Sequence, residues 1–412
     1  MEVDDRIQRI NSLVLKNIRV QRPGDIFVSI IGSNRNNSFV YNFLKIVRYT
    51  FLNRVTINKQ IANSTDLPIA MLFSNDYASR TDHRKQFDIV ASLVDNKVLY
   101  MPGRRISLSN VRYLPLIISW TKTLRIVFSY RESLTYATDL FVAYLDAIFV
   151  LKSLLLLNIK HLLVFCDTVI TDNLLVQLAI ERGIRTVTLQ HGYYQPNSTA
   201  FSCSPSDFFL CYGTSSLENA GVKSGNDKFI PVGMSQLIEK SPSDTIVNNK
   251  TKKFVVFMSN NATEEVASLR ITEILVEEYG YQRIIKLHPA RKRTMYNYCW
   301  KDNDCVVSDE VRVVDLFNQT DFAIIPSGST VYIECLLELF PVFLSEHNYC
   351  YYEESSSLKF HNQDQLISLV RKLNNNPQEI EGIMKGIRSY HTLTENVREN
   401  YESFLSSFVN YN

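Results

Sequence analysis

The feature of this chain that most restricts its fold is the alternation of short strand-like apolar runs with stretches of helical spacing. Such runs occur at 25–31, 69–73, 161–165, 185–189, 254–258 and 322–325. Helical patterns lie between them, including 39–51 and 172–182, and Thr171 or Asp172 is the expected cap of the latter. This rhythm is typical of parallel strands joined by crossover helices. We therefore predict an α/β fold with a doubly wound sheet in each half of the chain.

The length of 412 residues exceeds what one hydrophobic core usually spans, so two domains are expected. A polar stretch with few core-forming residues separates the two halves and reads as a linker, 236–253. We predict a Rossmann-like N-terminal domain over 1–235 and a Rossmann-like C-terminal domain over 254–385. A helical pattern runs from about 379 to 409, and its last part, 386–412, is predicted to pack back on the N-terminal domain.

Charge and cysteine content narrow the range of partners and locations. Forty-four basic and 42 acidic residues leave a net charge of +2, which argues against a general nucleic-acid binder. The seven cysteines show neither a CxxC pair nor zinc spacing, as expected for thiols in a reducing compartment. The charged start and the short, charge-interrupted apolar segment 140–157 predict no secretory signal and no membrane span. We expect a cytoplasmic protein, and leave peripheral contact with the inner face of the cell membrane open.

A small-residue turn follows one of the predicted strands. The run 322–325 is stopped by Pro326, and Ser327, Gly328 and Ser329 then lead into a helical pattern. Such a turn directs backbone N–H groups and hydroxyls to a helix N-terminus, where negative charge is favoured. The turn is a candidate phosphate site, although an ordinary helix cap explains the same residues equally well.

One acidic residue lies one helical turn beyond this loop. Thr330 and Glu334 are four residues apart and share a helix face. A carboxylate there can accept hydrogen bonds from ribose hydroxyls. We therefore add Thr330 and Glu334 to the candidate nucleotide site.

Two histidines also follow predicted strands. His191 comes after 186–190 and His288 after 284–287, and ligands of open α/β sheets bind outside the carboxyl ends of strands. Gly192 permits close backbone approach after His191, and Lys286 lies on the strand face of His288, where it either binds phosphate or is simply solvated. A histidine with a near-neutral pKa can act as a general base, although either histidine taken alone also fits a structural role.

Several other chemistries lose their main sequence support. The chain has no GxSxG, no GxxxxGK[ST] and no GxGxxG motif, which argues against a serine hydrolase, a P-loop enzyme and a dinucleotide oxidoreductase. It has no HxxxH or HExxH pair and no Asp-x-Asp motif in a suitable position after a strand. We expect catalysis without a metal ion or other cofactor.

Together these segments resemble a known group of enzymes. The Val-Phe-Cys-Asp run ending at Asp167, the Gln190-His191-Gly192 motif and the segment 206–213 resemble the end of the N-terminal domain of bacterial GT-B glycosyltransferases that build surface polysaccharide. The later Lys-x-His-Pro and Ser-Gly-Ser motifs make the order similar to capsule and teichoic-acid transferases. That group includes CDP-glycerol glycerophosphotransferases and CMP-sugar-using capsule enzymes. The resemblance covers about 162–344 and does not extend to the first 130 residues.

This resemblance implies a fold, partners and residue roles. The fold would be GT-B, with two Rossmann-like domains facing a central cleft. A nucleotide-sugar donor linked to CMP, CDP or UDP would bind the C-terminal domain, and a glycan or lipid-linked acceptor the N-terminal domain. His191 would be the catalytic base, with Gln190 and Gly192 on the acceptor side. The donor site would comprise Lys286, His288, Ser327, Gly328, Ser329, Thr330 and Glu334.

One departure from the group's pattern bears on the reaction. Glycerophosphotransferases usually read Trp-His-Gly-Thr, whereas this chain has Gln190-His191-Gly192 followed by Tyr193. Sugar transfer is therefore favoured over transfer of a polyol phosphate. A nucleotide-sugar 2-epimerase of the same fold, and a non-catalytic carbohydrate-binding protein, remain alternatives.

Overall fold

The computed structural model describes the chain in a series of ranges. These are residues 52–60, 68–74, 81–106, 134–167, 169–192, 204–219, 227–258, 262–288, 301, 304–307, 311–326, 329, 331–345 and 357–410. The strand predicted near 25–31 and the helix predicted near 39–51 lie outside these residues. Elsewhere the predicted alternation of strands and helices is confirmed.

Internal contacts divide the chain into two compact units. The first unit takes the described residues up to Tyr212 together with those of Leu217–Glu239 and Asn396–Asn412. The second unit takes Gly213–Ser216 and the described residues of Lys240–Glu395. The chain therefore passes from the first unit to the second after Glu239 and returns after Glu395. The predicted domain ranges stay predictions beside this division.

The first unit contains a sheet of seven strands among the described residues, in the order β1-β3-β2-β4-β5-β6-β7. Only β1 is antiparallel to its neighbour in this sheet. Its strands are β1 Leu52–Gln60, β2 Ile69–Leu72, β3 Lys97–Ile106, β4 His161–Val164, β5 Arg185–Leu189, β6 Phe208–Cys211 and β7 Phe229–Pro231. Its helices are α1 Thr81–Ser92, α2 Leu134–Leu156, α3 Ile170–Ile180 and, across a unit boundary, α4 Thr214–Asn219.

Apolar clusters cover both faces of this sheet. Along β2, Ala70 and Leu72 belong to a cluster shared with α2 and α3. The alternate residues Ile69 and Met71 belong to a second cluster, which contains residues of α1 and of the C-terminal segment. Since a parallel strand buried on both faces needs apolar side chains throughout, its sequence is a continuous apolar run. This is why the central strands could be predicted from the sequence.

The second unit contains a parallel sheet of six described strands, in the order β10-β9-β8-β11-β12-β13. The strands are β8 Lys253–Phe257, β9 Gln282–Lys286, β10 Cys305–Val307, β11 Phe322–Pro326, β12 Val342–Ser345 and β13 Lys359–Phe360. The helices are α5 Ala262–Glu277, α6 Val313–Phe317, α7 Val331–Leu337, α8 Gln363–Asn375 and α9 Pro377–His391. None of the helices described in either unit is both long and apolar enough to cross a membrane.

The polar stretch that separates the halves is bound by hydrogen bonds. Its start forms a short 3-10 helix, Ser235–Ile238, in the first unit. From Lys240 onward it lies on the second unit, where Ser243 donates its N–H to Leu337 O at 2.8 Å. The side-chain amide of Asn249 donates to two backbone carbonyls at 2.7 and 2.8 Å. Most of this segment is therefore part of the second unit.

The final helical pattern is two helices, where the sequence suggested one. The helix α9 ends at His391, and α10 Val397–Asn410 begins after a break that includes Asn396 at a positive φ of 53°. The reason is the unit boundary, because α9 belongs to the second unit and α10 to the first. A second correction concerns α3, whose N-cap is Val169 without a side-chain hydrogen bond, and not Thr171 or Asp172.

Candidate functional site

The first sheet changes direction between β2 and β4. From β2 the chain moves outward to β3 on one side, and from β4 it moves outward through β5 to β7 on the other. Helices that leave neighbouring strands on opposite sides of such a point open a crevice at the carboxyl ends of the strands. In this unit the crevice is bordered by the residues that follow β2, β4 and β5.

His191 lies at this edge because β5 ends two residues earlier. Gln190 continues the pairing with β6, donating its N–H to Leu210 O at 2.8 Å. Its buried side-chain amide donates to Gly192 O at 2.8 Å, and its side-chain oxygen accepts the N–H of Tyr212 at 2.8 Å. Gln190 thus braces the turn that carries His191, and its predicted contact with an acceptor stays a prediction.

Residues from two parts of the first unit, the segment after β4 and the helix α1, surround the half-buried imidazole of His191. The Sγ atom of Cys166, which follows β4, lies 3.7 Å from Nε2. The ring of Phe165 lies 6.0 Å away between centroids. The ring of His83, in the first turn of α1, lies 5.5 Å away at an interplanar angle of 79°. These contacts fix the ring plane and bring one ring nitrogen against a sulfur atom.

His83 was not predicted as a site residue, because it stands in a charged stretch without a motif. Its imidazole is buried and also packs on Phe165, with ring centroids 5.5 Å apart. A topological rule could have found it, because a helix that starts just after a strand places its first turn at the carboxyl edge of the sheet. Applying that rule requires knowing which strands are neighbours, and one sequence does not supply this.

A buried carboxylate also follows β4. Asp167 is 1% exposed, and its Oδ2 atom accepts hydrogen bonds from Ser204 Oγ at 2.5 Å and from Ser206 Oγ at 3.2 Å. Burial raises the pKa of the Asp167 carboxyl, while the hydroxyl hydrogen bonds and the positive charge of Lys228 oppose that effect. The other oxygen, Oδ1, has no hydrogen-bond partner among the described residues. In the sequence, Asp167 ends the Val-Phe-Cys-Asp run, but the pattern alone does not indicate a role for it.

No set of three His, Cys, Asp or Glu side chains in the described part of the chain is arranged to hold a metal ion. His83, Cys166 and His191 form a cluster of two imidazole rings and a thiol, with the Sγ atom of Cys166 next to Nε2 of His191. Such a cluster can orient an imidazole that exchanges a proton with a bound molecule.

In the second unit the direction of the sheet changes between β8 and β11. Lys286 ends β9, next to β8, and its side chain is buried, while His288 two residues later is half-buried. The backbone of this end is held to β8, since Met258 donates its N–H to Lys286 O at 2.8 Å. Lys286 and His288 therefore lie at the carboxyl end of β9.

The strand β11 ends at the same edge, because it is parallel to β8. Neighbouring strands are roughly 5 Å apart, so the ends of β9 and β11, with β8 between them, are about 10 Å apart. Ser329 is half-buried; its Oγ accepts the N–H of Val331 at 3.3 Å, and its carbonyl accepts the N–H of Tyr332 at 3.1 Å. These contacts are those of a helix cap, which was the alternative interpretation of this residue.

Four more residues were predicted to bind the donor, and the structure describes one of them. Glu334 lies on α7 and is half-buried. Ser327, Gly328 and Thr330 lie outside the described residues. The structure thus brings Lys286, His288, Ser329 and Glu334 to elements that meet at one sheet edge, and their binding of a nucleotide stays a prediction.

Comparison with known proteins supports the fold. A scan against protein-family models gives no match, and a search of curated proteins finds no significant relative. A protein assigned as a UDP-N-acetylglucosamine 2-epimerase from Listeria monocytogenes superposes with a TM-score of 0.53 at 11% identity, covering 83% of this chain and 96% of that one. The fold class is therefore confirmed: this is an α/β protein of the GT-B type, with two Rossmann-like units.

Two further solved structures are similar at a lower score. One is a glycosyltransferase from Rickettsia africae, with a TM-score of 0.49 at 11% identity over 85% of this chain and 100% of that one. The other is the UDP-GlcNAc 2-epimerase from Neisseria meningitidis bound to UDP-GlcNAc, with a TM-score of 0.48 at 12% identity over 84% and 99%. Identities of 11% and 12% do not indicate a shared function.

Proposed function

We propose that this protein is a glycosyltransferase that moves a sugar from a nucleotide-activated donor to a glycan or lipid-linked acceptor in bacterial capsule or cell-surface polysaccharide synthesis. The observation that carries the proposal is the position of His191, at the carboxyl end of β5 beside the point where the first sheet changes direction. The side chains of Cys166, Phe165 and His83 hold its ring there.

The reaction needs a base on the acceptor side. An acceptor hydroxyl gives its proton to the His191 imidazole, and its oxygen forms a bond to the anomeric carbon of the sugar. The bond between that carbon and the phosphate oxygen breaks, and the nucleotide leaves with the electron pair. A neutral imidazole can accept a proton near neutral pH, and a positioned base of this kind accelerates transfer.

The departing nucleotide needs positive charge and hydrogen-bond donors on the other side of the reaction. In our proposal Lys286 and His288 supply charge, Ser327, Gly328, Ser329 and Thr330 supply donors, and Glu334 accepts from the ribose. Preorganised groups of this kind act mainly by electrostatic stabilisation. We propose that these side chains replace a metal ion, in keeping with the lack of an Asp-x-Asp motif after a strand in the sequence.

The proposed role in polysaccharide synthesis and the proposed donor nucleotides are inferred from the sequence motifs. Their order resembles that of capsule and teichoic-acid transferases, and the donor would accordingly carry CMP, CDP or UDP. The GT-B fold is compatible with this chemistry, and the solved structures of similar fold include proteins described as glycosyltransferases and as 2-epimerases.

The test has two stages. A thermal-shift screen of nucleotide-sugar donors identifies the ligand, because a ligand that binds the native state raises its stability. Nucleotide release is then followed over time with and without a glycan or lipid-linked acceptor, together with mass analysis of the sugar. We expect slow release alone and rapid release with the matching acceptor.

Other outcomes of the same experiment point to the alternatives. Fast, acceptor-independent conversion to an isomeric nucleotide sugar would identify a 2-epimerase. Release of CMP from a CDP-polyol, with transfer of the polyol phosphate, would identify a polyol-phosphate transferase. Binding of glycan without turnover of any donor would indicate a carbohydrate-binding protein.

A further inference from the structure

Two neighbouring helices of the first unit end with the same backbone motif. At the end of α2, Ile159 N–H donates to Leu154 O at 2.9 Å and Asn158 N–H to Leu155 O at 3.2 Å. Asn158 has a positive φ of 52°. This pair of bonds around a left-handed residue is the Schellman motif, which closes a helix C-terminus tightly.

The helix α3 closes in the same way. Ile184 N–H donates to Ala179 O at 3.0 Å, and Gly183 N–H donates to Ile180 O at 2.9 Å. Gly183 has a positive φ of 72°, where its lack of a Cβ removes the steric cost. Both helix ends are therefore rigid turns of defined geometry.

The two caps direct specific side chains into the core and others outward. In each motif the apolar residues that bracket the turn are buried: Leu154 with Ile159, and Ala179 with Ile184. Of the residues between them, Leu157 packs partly against the core, and the others are exposed. As a result Leu155 is 46% exposed, Leu156 is 86% exposed and Ile180 is 37% exposed.

These three side chains lie at one edge of the sheet. The two turns lead directly into β4 and β5, which pair side by side from His161 and Arg185 onward. The turns are also joined, because Arg185 N–H donates to Lys160 O at 2.8 Å. We call Leu155, Leu156 and Ile180 the leucine edge.

The charges around the leucine edge are mostly positive. Among the described residues, Lys152, Lys160 and Arg182 are exposed there. The exposed acidic residues are Glu181 and Asp207, and the Asp207 carboxylate accepts the N–H of Thr186 on β5 at 2.8 Å. Long basic side chains can extend their ammonium or guanidinium groups past an apolar surface while their stems cover it. Apolar side chains surrounded by basic ones complement a surface that has an apolar interior and a negatively charged exterior.

We propose that the leucine edge docks on a membrane surface that contains anionic lipid. Leu156 is almost fully exposed and Leu155 leaves nearly half of its surface in solvent, so both fit a binding role. The basic residues are attracted to anionic headgroups, and the leucines enter the boundary with the acyl chains. A symmetric contact between two copies would set the same basic side chains against each other, which disfavours self-association.

Binding to vesicles tests this directly with the full-length protein. Vesicles of phosphatidylglycerol and phosphatidylcholine are compared with vesicles of phosphatidylcholine alone by co-sedimentation, at low and high salt. We expect binding to the anionic vesicles that weakens as salt is raised. The double variant Leu155→Ser/Leu156→Ser should bind at least about tenfold more weakly, given the apolar area removed from the bilayer.

Two further variants complete the test. Lys160→Glu/Arg182→Glu should lose the preference for anionic vesicles. Ile57→Ser changes a 38% exposed apolar residue on β1 of the same unit and should leave binding unchanged. Thermal unfolding confirms that each variant is folded.

Three results would overturn the proposal. They are no binding by the wild type, equal binding of the wild type and the leucine variant, or a concentration-dependent dimer that the leucine variant abolishes. The assay uses neither a donor nor an acceptor, so its outcome is independent of the glycosyltransferase proposal.

Discussion

At the scale of single residues, His191 and His83 share one aromatic neighbour, Phe165, and lie edge to face. The sulfur atom of Cys166 contacts Nε2 of His191 on another side. A ring held on several sides keeps its orientation when substrate arrives, so little ordering cost remains for the reaction itself. Removing the His191 side chain should therefore lower the turnover rate.

We predict that His191→Ala lowers transfer at least about 100-fold, because a positioned base is typically worth that much. Affinity for the donor nucleotide, measured by calorimetry, should stay unchanged because the predicted donor residues lie in the second unit. The matched control is His361→Ala, which alters an exposed histidine. Turnover above about a tenth of the wild-type value would remove His191 from the role of base.

Asp167 provides a prediction about pH. Its pKa is raised above the ordinary value of 3.8 by burial, so the folded state holds this proton more tightly than the unfolded state does. The stability that Asp167 contributes is therefore full below pH 3.8 and falls as pH rises through the range above it. Asp167→Asn cannot ionise and should escape this loss.

The free energy of unfolding of Asp167→Asn should rise relative to wild type as pH is raised from 4 to 8, because the wild type loses the stability of its protonated Asp167 over that range. Urea unfolding across that range measures it. Asp88→Asn, which neutralises an exposed carboxylate on α1, is the control and should show no such trend. A constant difference between Asp167→Asn and wild type would contradict the assignment.

At the scale of elements, β9 is anchored by a buried ion pair. Arg283 donates to Asp304 Oδ1 at 2.6 and 2.9 Å, and also to Leu269 O on α5 at 2.8 Å. The two side chains are 1% and 2% exposed. This network ties β9 to the start of β10 and to α5, and so fixes the strand whose end carries Lys286 and His288.

Arg283→Ala should destabilise the second unit by about 3–5 kcal/mol, because it leaves the Asp304 carboxylate buried without its partner. Arg312→Ala breaks an ion pair of similar geometry whose side chains are 74% and 40% exposed. That change should cost far less stability, because solvent screens an exposed pair and both side chains keep their hydration without it. Chemical unfolding followed by circular dichroism compares the two, and equal losses would show that burial does not set the value of the pair.

The elements differ in how far the sequence predicts them. The bounds of β5 were predicted as 185–189 and are confirmed, because a strand buried on both faces is a short apolar run closed by polar residues. The antiparallel edge strand β1 was missed, since Ile57, Asn58 and Lys59 are exposed and mix polar with apolar residues. The break between α9 and α10 was missed because helical spacing continues on both sides of it.

The sequence alone could predict residues of the candidate site only where they lie at or just after strand ends. His191 and His288 come directly after predicted strands, and Lys286 lies near the end of the second of these strands, so their places at the sheet edges follow from local sequence. His83 and Asp167 join the site through the neighbours of β2, β4 and β6, which lie far apart in the chain. Strand order is a long-range property, and one sequence without relatives does not contain it in readable form.

At the scale of the whole molecule, the predicted base and the predicted donor residues lie on different units. We predict that CMP, CDP or UDP, whichever the donor carries, slows hydrogen exchange in peptides covering 286–288 and 329–334 of the full-length protein. Peptides covering 190–192 should be protected only after acceptor is added. Protection by nucleotide confined to the first unit would contradict the placement of the donor site.

The return of α10 to the first unit has a consequence for synthesis of the protein. Val397, Tyr401, Leu405 and Phe408 are buried in the same core cluster as residues of β2, β4 and β5. The second unit is contiguous from Lys240 to Glu395 apart from a short segment. During translation the second unit therefore has nearly all of its chain before the ribosome has made α10. The first unit, although its first described strands are made earlier, lacks these four core side chains until α10 has been made, so its core closes after the chain of the second unit is complete.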